Sequence, residues 1–291
     1  MTVDAKDLPS PEDLHFGHFA AVPEYRQVNR ELVQELFRHM PNPFVHVDLA
    51  TGTGLVPQLL IEEAEKRGFR GTIIGIDRSP KALEIAEATT PRPSNIDLRF
   101  VEADARYLER LQGDELPADG ADSLSIHDAI HEITDQEGQR QVYNGMAAIA
   151  RDGALLSSNS TFTTVSMAVA NSLRGHGEWK LHFMRLTGAR RNDKGGALPY
   201  RRPEDYRKMI EEAGFKVVHE LERAIHLTRE ALKAIARYPA FVEGVAGDLD
   251  FPRKFSLAEQ SHYLSLAVDK VRYDGLPRIW HEIIGRRRAT P

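Results

Sequence analysis

The chain has 291 residues, of which 41% are hydrophobic, and its formal net charge is −5 at pH 7. This length corresponds to one large domain or two small ones, with enough apolar residues for a sizeable core. The acidic balance disfavours nucleic-acid binding, which usually needs a basic surface. The absence of cysteine excludes disulfides, thiolate metal sites and a thiol nucleophile.

The sequence also bears on cellular location. No apolar run approaches the ~20 residues that a membrane-spanning helix needs. The first residues, MTVDAKDLPSPED, are acidic and lack the apolar segment of a signal peptide. We therefore expect a cytoplasmic protein that has neither a membrane nor a nucleic acid as its partner.

Helical periodicity appears early in the chain and then alternates with short apolar strands. A first helix is predicted over 24–39 and ends before Pro41. The alternation predicts strands at 44–49, 72–76, 96–101, 123–126 and 154–158, and helices at 54–67, 80–88 and 136–150. Such alternation implies right-handed crossovers and a mostly parallel sheet covered on both faces. The predicted fold class is α/β, Rossmann-like and doubly wound, with a helical N-terminal lead-in and late helical insertions.

Long connections separate the last predicted elements. Helices are predicted at 162–173, 203–213, 228–238 and 255–272, and strands at 215–221 and 278–284. Long connections in a compact domain are commonly lids or binding loops. The predicted division is an N-terminal lead-in or lid (1–43), a core (44–221) with a substrate-side insertion (160–200), a helical insertion (222–276), and a last strand with its tail (277–291). We expect both insertions to cover the substrate side of the sheet edge.

The segment VHVDLATGTGL, residues 45–55, joins the first strand to a helix through a Gly-x-Gly turn. Glycine permits a sharp turn and a close ligand approach, and the helix N-terminus offers free N–H groups. The dinucleotide fingerprint G-x-G-x-x-G is incomplete because Pro57 stands at its third glycine. Asp48 would also repel a pyrophosphate. A ligand with positive charge or with hydroxyl and amine donors therefore fits this turn better.

An acidic residue follows each of the first three strands, namely Asp48, Asp77 and Asp104. Asp77 is placed to accept hydrogen bonds from ribose hydroxyls, and Asp104 or its neighbouring N–H group to meet an adenine edge. One acid at a strand end is usually a turn or helix cap. Three in register after successive strands are a far more specific signal.

Six segments together resemble the class I S-adenosylmethionine-dependent methyltransferases over residues 20–221: VDLATGTGL, IIGIDRSPKALEIA, VEADAR, DSLSIHDAIHEITD, RDGALLSS and RRPEDYRKMIEEAGFKVV. The resemblance implies S-adenosyl-L-methionine as cofactor and methyl transfer to a small-molecule metabolite at an O, N or C acceptor. A nicotinamide-dependent oxidoreductase is the enzymatic alternative, against which Pro57 and the lack of a Y-x-x-x-K pair in the expected region count. A non-catalytic, cofactor-binding regulatory subunit is the other alternative, and a homodimer is left open.

The resemblance also implies cofactor contacts. Residues of the glycine turn would line the methionine end, residues after the second and third strands would hold the ribose and adenine, and a histidine after the fourth strand would lie near the transferable methyl. A tyrosine of the lead-in would close over the cofactor. The implied residues, in chain order, are Tyr25, Asp48, Thr51, Gly52, Gly54, Asp77, Arg78, Asp104, Ala105 and His127.

Catalysis requires the acceptor to be aligned with the methyl group, and an O or N acceptor also benefits from a base. His127 and His131, in SIHDAIHE, are the candidate catalytic residues because histidine takes up a proton near neutrality. Packing is the alternative role for each. A metal site is not predicted, since further ligands at fixed spacing are missing from the sequence. Trp179 and Phe183 either line an apolar pocket or belong to an ordinary amphipathic helix.

Overall fold

A computed structural model describes residues 5–111, 115–116, 118–169, 172–192 and 199–289. The strands are β1 (Phe44–Leu49), β2 (Gly71–Asp77), β3 (Ile96–Glu102), β4 (Ala121–His127), β5 (Ala150–Ser160), β6 (Arg190–Arg191), β7 (Phe215–Leu227), β8 (Leu249–Asp250) and β9 (Leu276–Arg287). The helices are α1 (Gly17–Ala20), α2 (Pro23–Phe37), α3 (Leu55–Arg67), α4 (Pro80–Thr89), α5 (Gln136–Ile149), α6 (Thr164–Ala168), α7 (Ser172–Thr187), α8 (Pro203–Glu212), α9 (Arg229–Ile235), α10 (Pro239–Ala246) and α11 (Leu257–Val268). Short 3-10 helices lie at Ala5–Asp7, Pro11–Asp13, Ala105–Arg110 and Ile130–Glu132.

The main sheet has seven strands in the order β3-β2-β1-β4-β5-β9-β7. The pairs from β3 through to β5 are parallel, and β9 pairs antiparallel with β5. The first two crossovers place α3 and α4 between parallel strands, as the strand–helix alternation requires. The predicted α/β class and the mostly parallel sheet are confirmed.

The chain groups into two compact units. The sheet unit comprises Arg26–Thr164, Tyr200–Arg223 and Trp280–Pro291, and the helical unit comprises Met1–Tyr25, Val165–Pro199 and Ala224–Ile279. The domain division drawn from the sequence stays a prediction, and positions 170–171 and 193–198 of the 160–200 insertion lie outside the described residues.

The central strands of the sheet unit carry different residues on their two faces. Val47, Leu49, Leu124 and Ile126 belong to a buried apolar cluster that includes Tyr143 of α5. Each such burial stabilises the fold by roughly 1.5–3 kcal/mol. Because side chains alternate along a strand, the intervening residues of β1 and β4 lie on the opposite face. Those residues, which are buried and polar, are His46, Asp48, Ser123, Ser125 and His127.

The helical unit buries the aromatic residues of α7. Trp179 is 2% exposed and Phe183 is fully buried. The Trp179 indole N–H donates to the Leu264 carbonyl on α11 at 2.8 Å. These two residues therefore pack within the helical unit, as the amphipathic-helix interpretation predicted. Of the helices that the structure describes, none is long and apolar enough to cross a membrane.

The prediction of one helix over 162–173 is wrong. Helix α6 covers only Thr164–Ala168, and α7 occupies Ser172–Thr187, most of which lies beyond the predicted helix. Two glycines, Gly175 and Gly177, lower the intrinsic helix propensity of this segment. Tertiary packing overrides propensity here, because a Cβ added at Gly175 would stand 2.0 Å from Leu276 Cδ2. The close approach to Leu276 explains a glycine inside α7.

Candidate functional site

Backbone strain marks the carboxyl edge of the parallel sheet. Among the described residues, the non-glycine positions with positive φ are Ala50, at 52°, and Asp128, at 50°. Ala50 follows β1 and Asp128 follows β4, which is the neighbouring strand. A left-handed backbone costs a non-glycine residue roughly 1–2 kcal/mol, and such strain concentrates at functional sites. The structure therefore points to the ends of β1 and β4.

The glycine turn after β1 borders open space. Gly52 has a φ of 55°, and a Cβ added there would meet none of the described atoms within 4 Å. Gly54 has a φ of 84°, but its added Cβ would lie 2.6 Å from Thr90 Oγ1. Gly52 therefore leaves room for a ligand, whereas the missing side chain of Gly54 lets the start of α3 pack closely against the end of α4.

Asp77 links this turn to the end of β2. Its Oδ2 accepts the Gly52 N–H at 2.8 Å, and its Oδ1 accepts the Ser79 N–H at 2.9 Å. A carboxylate offers about four acceptor positions. The remaining acceptor capacity is compatible with ligand hydroxyls, so the predicted ribose contact has the required donor–acceptor chemistry.

Asp48 is a buried acid with one unsatisfied oxygen. Its Oδ1 accepts the Ser125 hydroxyl at 2.5 Å, and Ser125 Oγ lies 2.8 Å from His46 Nε2. Burial raises the pKa of Asp48 to about 7, against the opposing effects of the Ser125 and Thr51 side chains. Within the described part of the chain, neither Asp48 Oδ2 nor Thr51 Oγ1 makes a hydrogen bond of standard geometry, although the two side chains are close enough for Thr51 to lower the pKa of Asp48. Unpaired buried polar atoms are unfavourable, so a ligand donor fits at both.

Asp104 is engaged by its own neighbours. Its carboxylate accepts the Arg106 N–H at 2.9 Å and pairs with the Arg106 guanidinium at 2.5 Å. The hydrogen bond from the Arg106 side chain lowers the pKa of Asp104, and the charge of the exposed Arg78 contributes in the same direction. The predicted adenine contact of Asp104 and Ala105, and the predicted role of Arg78, stay predictions.

His127 is held at both ring nitrogens. Nδ1 lies 2.9 Å from Asn29 Oδ1, and Nε2 lies 2.8 Å from Ser157 Oγ. Because an amide oxygen only accepts, Nδ1 is the donor and Nε2 accepts from Ser157. Burial lowers the pKa of His127 to about 3. This geometry disfavours His127 as a general base and makes it a neutral, fixed part of the site.

His131 occupies a different setting. It lies in the 3-10 helix Ile130–Glu132, whereas His127 ends β4, so the two do not share one helix. Its Nδ1 is 3.1 Å from Ser160 Oγ and 4.0 Å from Asp128 Oδ1. The imidazole stacks on Phe162 with a centroid distance of 4.2 Å. The hydrogen bond with Ser160 and the stacked Phe162 ring therefore orient this imidazole, while the Asp128 carboxylate lies beyond hydrogen-bond distance. The catalytic role of His131 stays a prediction.

Tyr25 lies in the helical unit. It is 2% exposed, and its ring centroid is 5.7 Å from that of Phe16 and 4.7 Å from that of Phe19. The FGHF segment and Tyr25 therefore pack together. The predicted contact of Tyr25 with a cofactor is not tested by this arrangement.

Several site residues were missed from the sequence. His46 and Ser125 support Asp48, while Asn29 and Ser157 hold His127. A signal existed for three of them, because VHVD and SLSIH place polar residues at alternate positions of strands expected to be buried, and SSNS places four in succession on another. Asn29 offered none, since one asparagine in an amphipathic helix is unremarkable.

The chain is similar to known methyltransferases. A family model described as "Methyltransferase domain" matches residues 44–214, more than half of the chain. An S-adenosylmethionine-dependent methyltransferase structure from Methanosarcina mazei is 11% identical with a TM-score of 0.52, covering 88% of this chain and 98% of that one. The YcgJ protein structure from Bacillus subtilis is 11% identical with a TM-score of 0.51, covering 89% of this chain and 98% of that one. At these identities the two structures support the fold alone. A search of curated proteins found no match.

Proposed function

Because the chain belongs to the family of methyltransferase domains, we propose that it methylates a small-molecule metabolite. It is an S-adenosylmethionine-dependent methyltransferase, and S-adenosylmethionine is its cofactor. This membership replaces the nicotinamide-dependent and non-catalytic alternatives. The small-molecule acceptor is the proposed part, and the formal net charge of −5 supports it, since polyanionic substrates favour basic surfaces.

The unsatisfied oxygen of Asp48 is the observation that carries the cofactor site. Neither Asp48 Oδ2 nor Thr51 Oγ1 makes a hydrogen bond of standard geometry among the described residues. Thr51 directly precedes Gly52, next to whose Cα the space is open. A cation with N–H donors would satisfy this acid. The cofactor carries an ammonium and a sulfonium, and when bound it supplies a methyl group activated by the sulfonium charge. The residues present therefore fit the group.

Each remaining residue has a role that follows from its bonds. Asp77 would accept the ribose hydroxyls with the acceptor capacity that Gly52 and Ser79 leave. The Arg106 pair occupies the Asp104 carboxylate, so the adenine would be read by the backbone at Ala105. His127, neutral and hydrogen-bonded at both ring nitrogens, would form part of the wall of the cofactor site and help to exclude water.

Calorimetry of the wild type and of Asp77→Ala tests the proposal. We expect the wild type to bind S-adenosylmethionine and S-adenosylhomocysteine but not NADH. Hydrogen bonds to a charged group contribute ~1.5–3 kcal/mol, so Asp77→Ala should weaken binding of both ligands roughly ten- to a hundred-fold.

The matched control is Asp97→Ala. Asp97 is exposed near the start of β3, whereas Asp77 ends β2, so the two acids lie at opposite edges of the same sheet. The control should bind both ligands like the wild type. Equal affinity in Asp77→Ala would remove the ribose assignment, and preferential binding of NADH by the wild type would refute the proposed function.

Single-turnover methylation separates the two histidines. If His131 is the base, His131→Ala should lower the transfer rate by roughly 10²–10⁴-fold with unchanged cofactor affinity. His127→Ala should instead act through the cofactor, because it removes the partner of Asn29 and Ser157. The measurement is the first-order rate at saturating acceptor over pH 5–9.

His131→Gln is the companion variant, since it keeps a polar group at this position but has no pKa near neutrality. A rate loss below tenfold in both His131 variants would mean that alignment of the acceptor dominates catalysis. A thousand-fold loss that persists in His131→Gln would support the base.

A further inference from the structure

Aromatic rings from three segments stack beyond the carboxyl ends of β4 and β5. His131 and Phe162 have centroids 4.2 Å apart with an interplanar angle of 24°, and Phe162 and Tyr200 have centroids 5.6 Å apart at 16°. His131 is 6% exposed, whereas Tyr200 is 39% exposed. We call these residues the aromatic stack. It therefore runs from a buried histidine to a ring that reaches solvent, all within the sheet unit.

Hydrogen bonds fix the inner part of the aromatic stack. Ser160 Oγ lies 3.1 Å from His131 Nδ1 and accepts the Phe162 N–H at 3.2 Å. The same serine thus orients the imidazole and the backbone that carries the neighbouring ring. An oriented pair of rings loses little conformational entropy when a ligand is added.

The outer part is fixed through the backbone beside Tyr200. The Arg201 N–H donates to the Phe162 carbonyl at 3.2 Å, and the Thr164 N–H donates to the Arg201 carbonyl at 2.8 Å. The Arg201 Nε–H also donates to Gln139 Oε1 at 2.8 Å. Phe162 and Tyr200 are therefore carried by two segments that are bonded to each other.

Gln139 ties this segment to the turn that carries His131. The side chain is 1% exposed, and its Nε2 donates to the carbonyls of Ile130, at 3.1 Å, and Ile133, at 2.8 Å. Since its Oε1 also accepts the Arg201 Nε–H, the buried Gln139 amide connects the residue next to Tyr200 with the turn that carries His131. This is the preorganisation that a ligand platform requires.

The aromatic stack lies on the same edge of the sheet as the glycine turn. The turn follows β1, His131 follows β4 and Phe162 follows β5, and these strands are successive neighbours in the sheet. Neighbouring strands are about 4.8 Å apart, so β1 and β5 end about 10 Å from each other. The glycine turn and the segment that carries Phe162 therefore lie on adjoining parts of one sheet edge.

We propose that the aromatic stack binds the methyl acceptor and that the acceptor is a planar aromatic or heteroaromatic compound. Its flat face stacks on the Tyr200 ring and continues the series of rings, so Phe162 and Tyr200 stand between it and His131. In this arrangement His131 orients the aromatic stack and is not the base for the acceptor. A saturated ring of the same size lacks the π-face and gains only contact area. This inference rests on the proposed function and names the substrate class of the same site.

Matched ligands test the substrate class. The probes are 2-naphthol with decahydro-2-naphthol, and 2-naphthoic acid with its decahydro analogue, so that each pair carries the same substituent on a flat or a saturated frame. The acids are the more closely matched pair, because both are carboxylates at neutral pH, whereas a phenol is a stronger hydrogen-bond donor than an alcohol. Binding is measured by saturation-transfer NMR and calorimetry on the full chain, with and without S-adenosylhomocysteine. We expect the planar member of at least one pair to bind about tenfold more tightly than its saturated partner.

Two variants locate the binding. Tyr200→Leu should reduce the affinity for the planar probe by about 2- to 12-fold, the range of an aromatic pair beyond its contact area. Tyr200→Phe keeps the ring and should retain wild-type affinity. Both should bind S-adenosylhomocysteine normally, and circular dichroism checks their fold.

The outcomes separate the two proposals. Equal or undetectable binding of both members of both pairs would overturn the planar acceptor, even if S-adenosylhomocysteine binds. So would a planar preference that Tyr200→Leu leaves unchanged, because the probe would then bind elsewhere. Failure of S-adenosylhomocysteine to bind would refute the proposed function. Binding of the naphthalene pairs, measured without S-adenosylhomocysteine, would still show whether the aromatic stack prefers planar compounds.

Discussion

Replacement of Gly52 by valine is expected to reduce S-adenosylmethionine affinity by at least roughly 100-fold, equivalent to ~2.8 kcal/mol. Gly52 has a φ of 55°, and the space next to its Cα is open within the described structure. In our proposal that space holds the methionine end of the cofactor, so a branched side chain would occupy it. Calorimetric titration with S-adenosylhomocysteine measures the loss.

Gly68→Val separates ligand exclusion from backbone strain. Gly68 has a φ of 66°, and its added Cβ also meets none of the described atoms within 4 Å. It follows the last residue of α3, whereas Gly52 lies before the first, so the two glycines flank opposite ends of one helix. Both variants should lose a similar roughly 1–2 kcal/mol of stability. Only Gly52→Val should also lose cofactor affinity. Normal cofactor binding by Gly52→Val, or an equal loss of cofactor affinity in both variants, would contradict our interpretation of the turn.

Asp48→Asn is expected to stabilise the cofactor-free protein at alkaline pH. The pKa of Asp48 is about 7 in the folded chain because of burial, against an ordinary value of 3.8. Between these values the unfolded state has lost a proton that the folded state keeps, so wild-type stability falls as pH rises through this window and then levels off. The asparagine has no proton to lose and escapes this penalty.

Urea unfolding at pH 5 and pH 8 measures the effect. The stability advantage of Asp48→Asn should grow by roughly 2–3 kcal/mol between these pH values, since about two pH units of the window lie between them. Asp97→Asn, at an exposed position, is the control and should show no such growth. An advantage that stays constant with pH would mean that Asp48 is ionised in the folded protein at pH 5.

The same substitution should impair cofactor binding. A cationic ligand favours the ionised acid, so wild-type affinity should rise with pH until about 7, and binding below that pH should release a proton. Asp48→Asn should lose at least tenfold in affinity and show no proton release in buffers of different ionisation enthalpy. Wild-type affinity that is flat from pH 5.5 to pH 8 would remove Asp48 from the cation site.

Local patterns were sufficient to predict the frame of the sheet unit. The strand at 44–49, the glycine turn and the helix ending before Gly68 are encoded in neighbouring residues, and the structure has β1 at Phe44–Leu49 and α3 at Leu55–Arg67. Ser79 and Pro80 similarly predicted the start of α4, where the Ser79 hydroxyl accepts the Ala82 N–H. Periodicity, caps and turns are properties of short segments, so the sequence determines them without knowledge of the rest of the fold.

The properties of the site residues depend on contacts between distant segments. His127 and His131 were equally good candidates for a general base in the sequence. In the structure, His127 is enclosed between Asn29 and Ser157, whereas His131 lies near Asp128 and stacks on Phe162. The two left-handed residues, Ala50 and Asp128, were likewise invisible, because no local pattern requires a non-glycine residue to adopt that backbone.

The sequence by itself determined the family, the mostly parallel sheet and the acids at the ends of its strands. The tertiary structure alone decided that Asp48 is buried beside Ser125 with one oxygen unsatisfied, and that Phe162 and Tyr200 stack with His131. The reason is physical: strand and turn formation depends on neighbours in sequence, whereas desolvation, pKa and ring stacking depend on groups that approach only when the chain is folded.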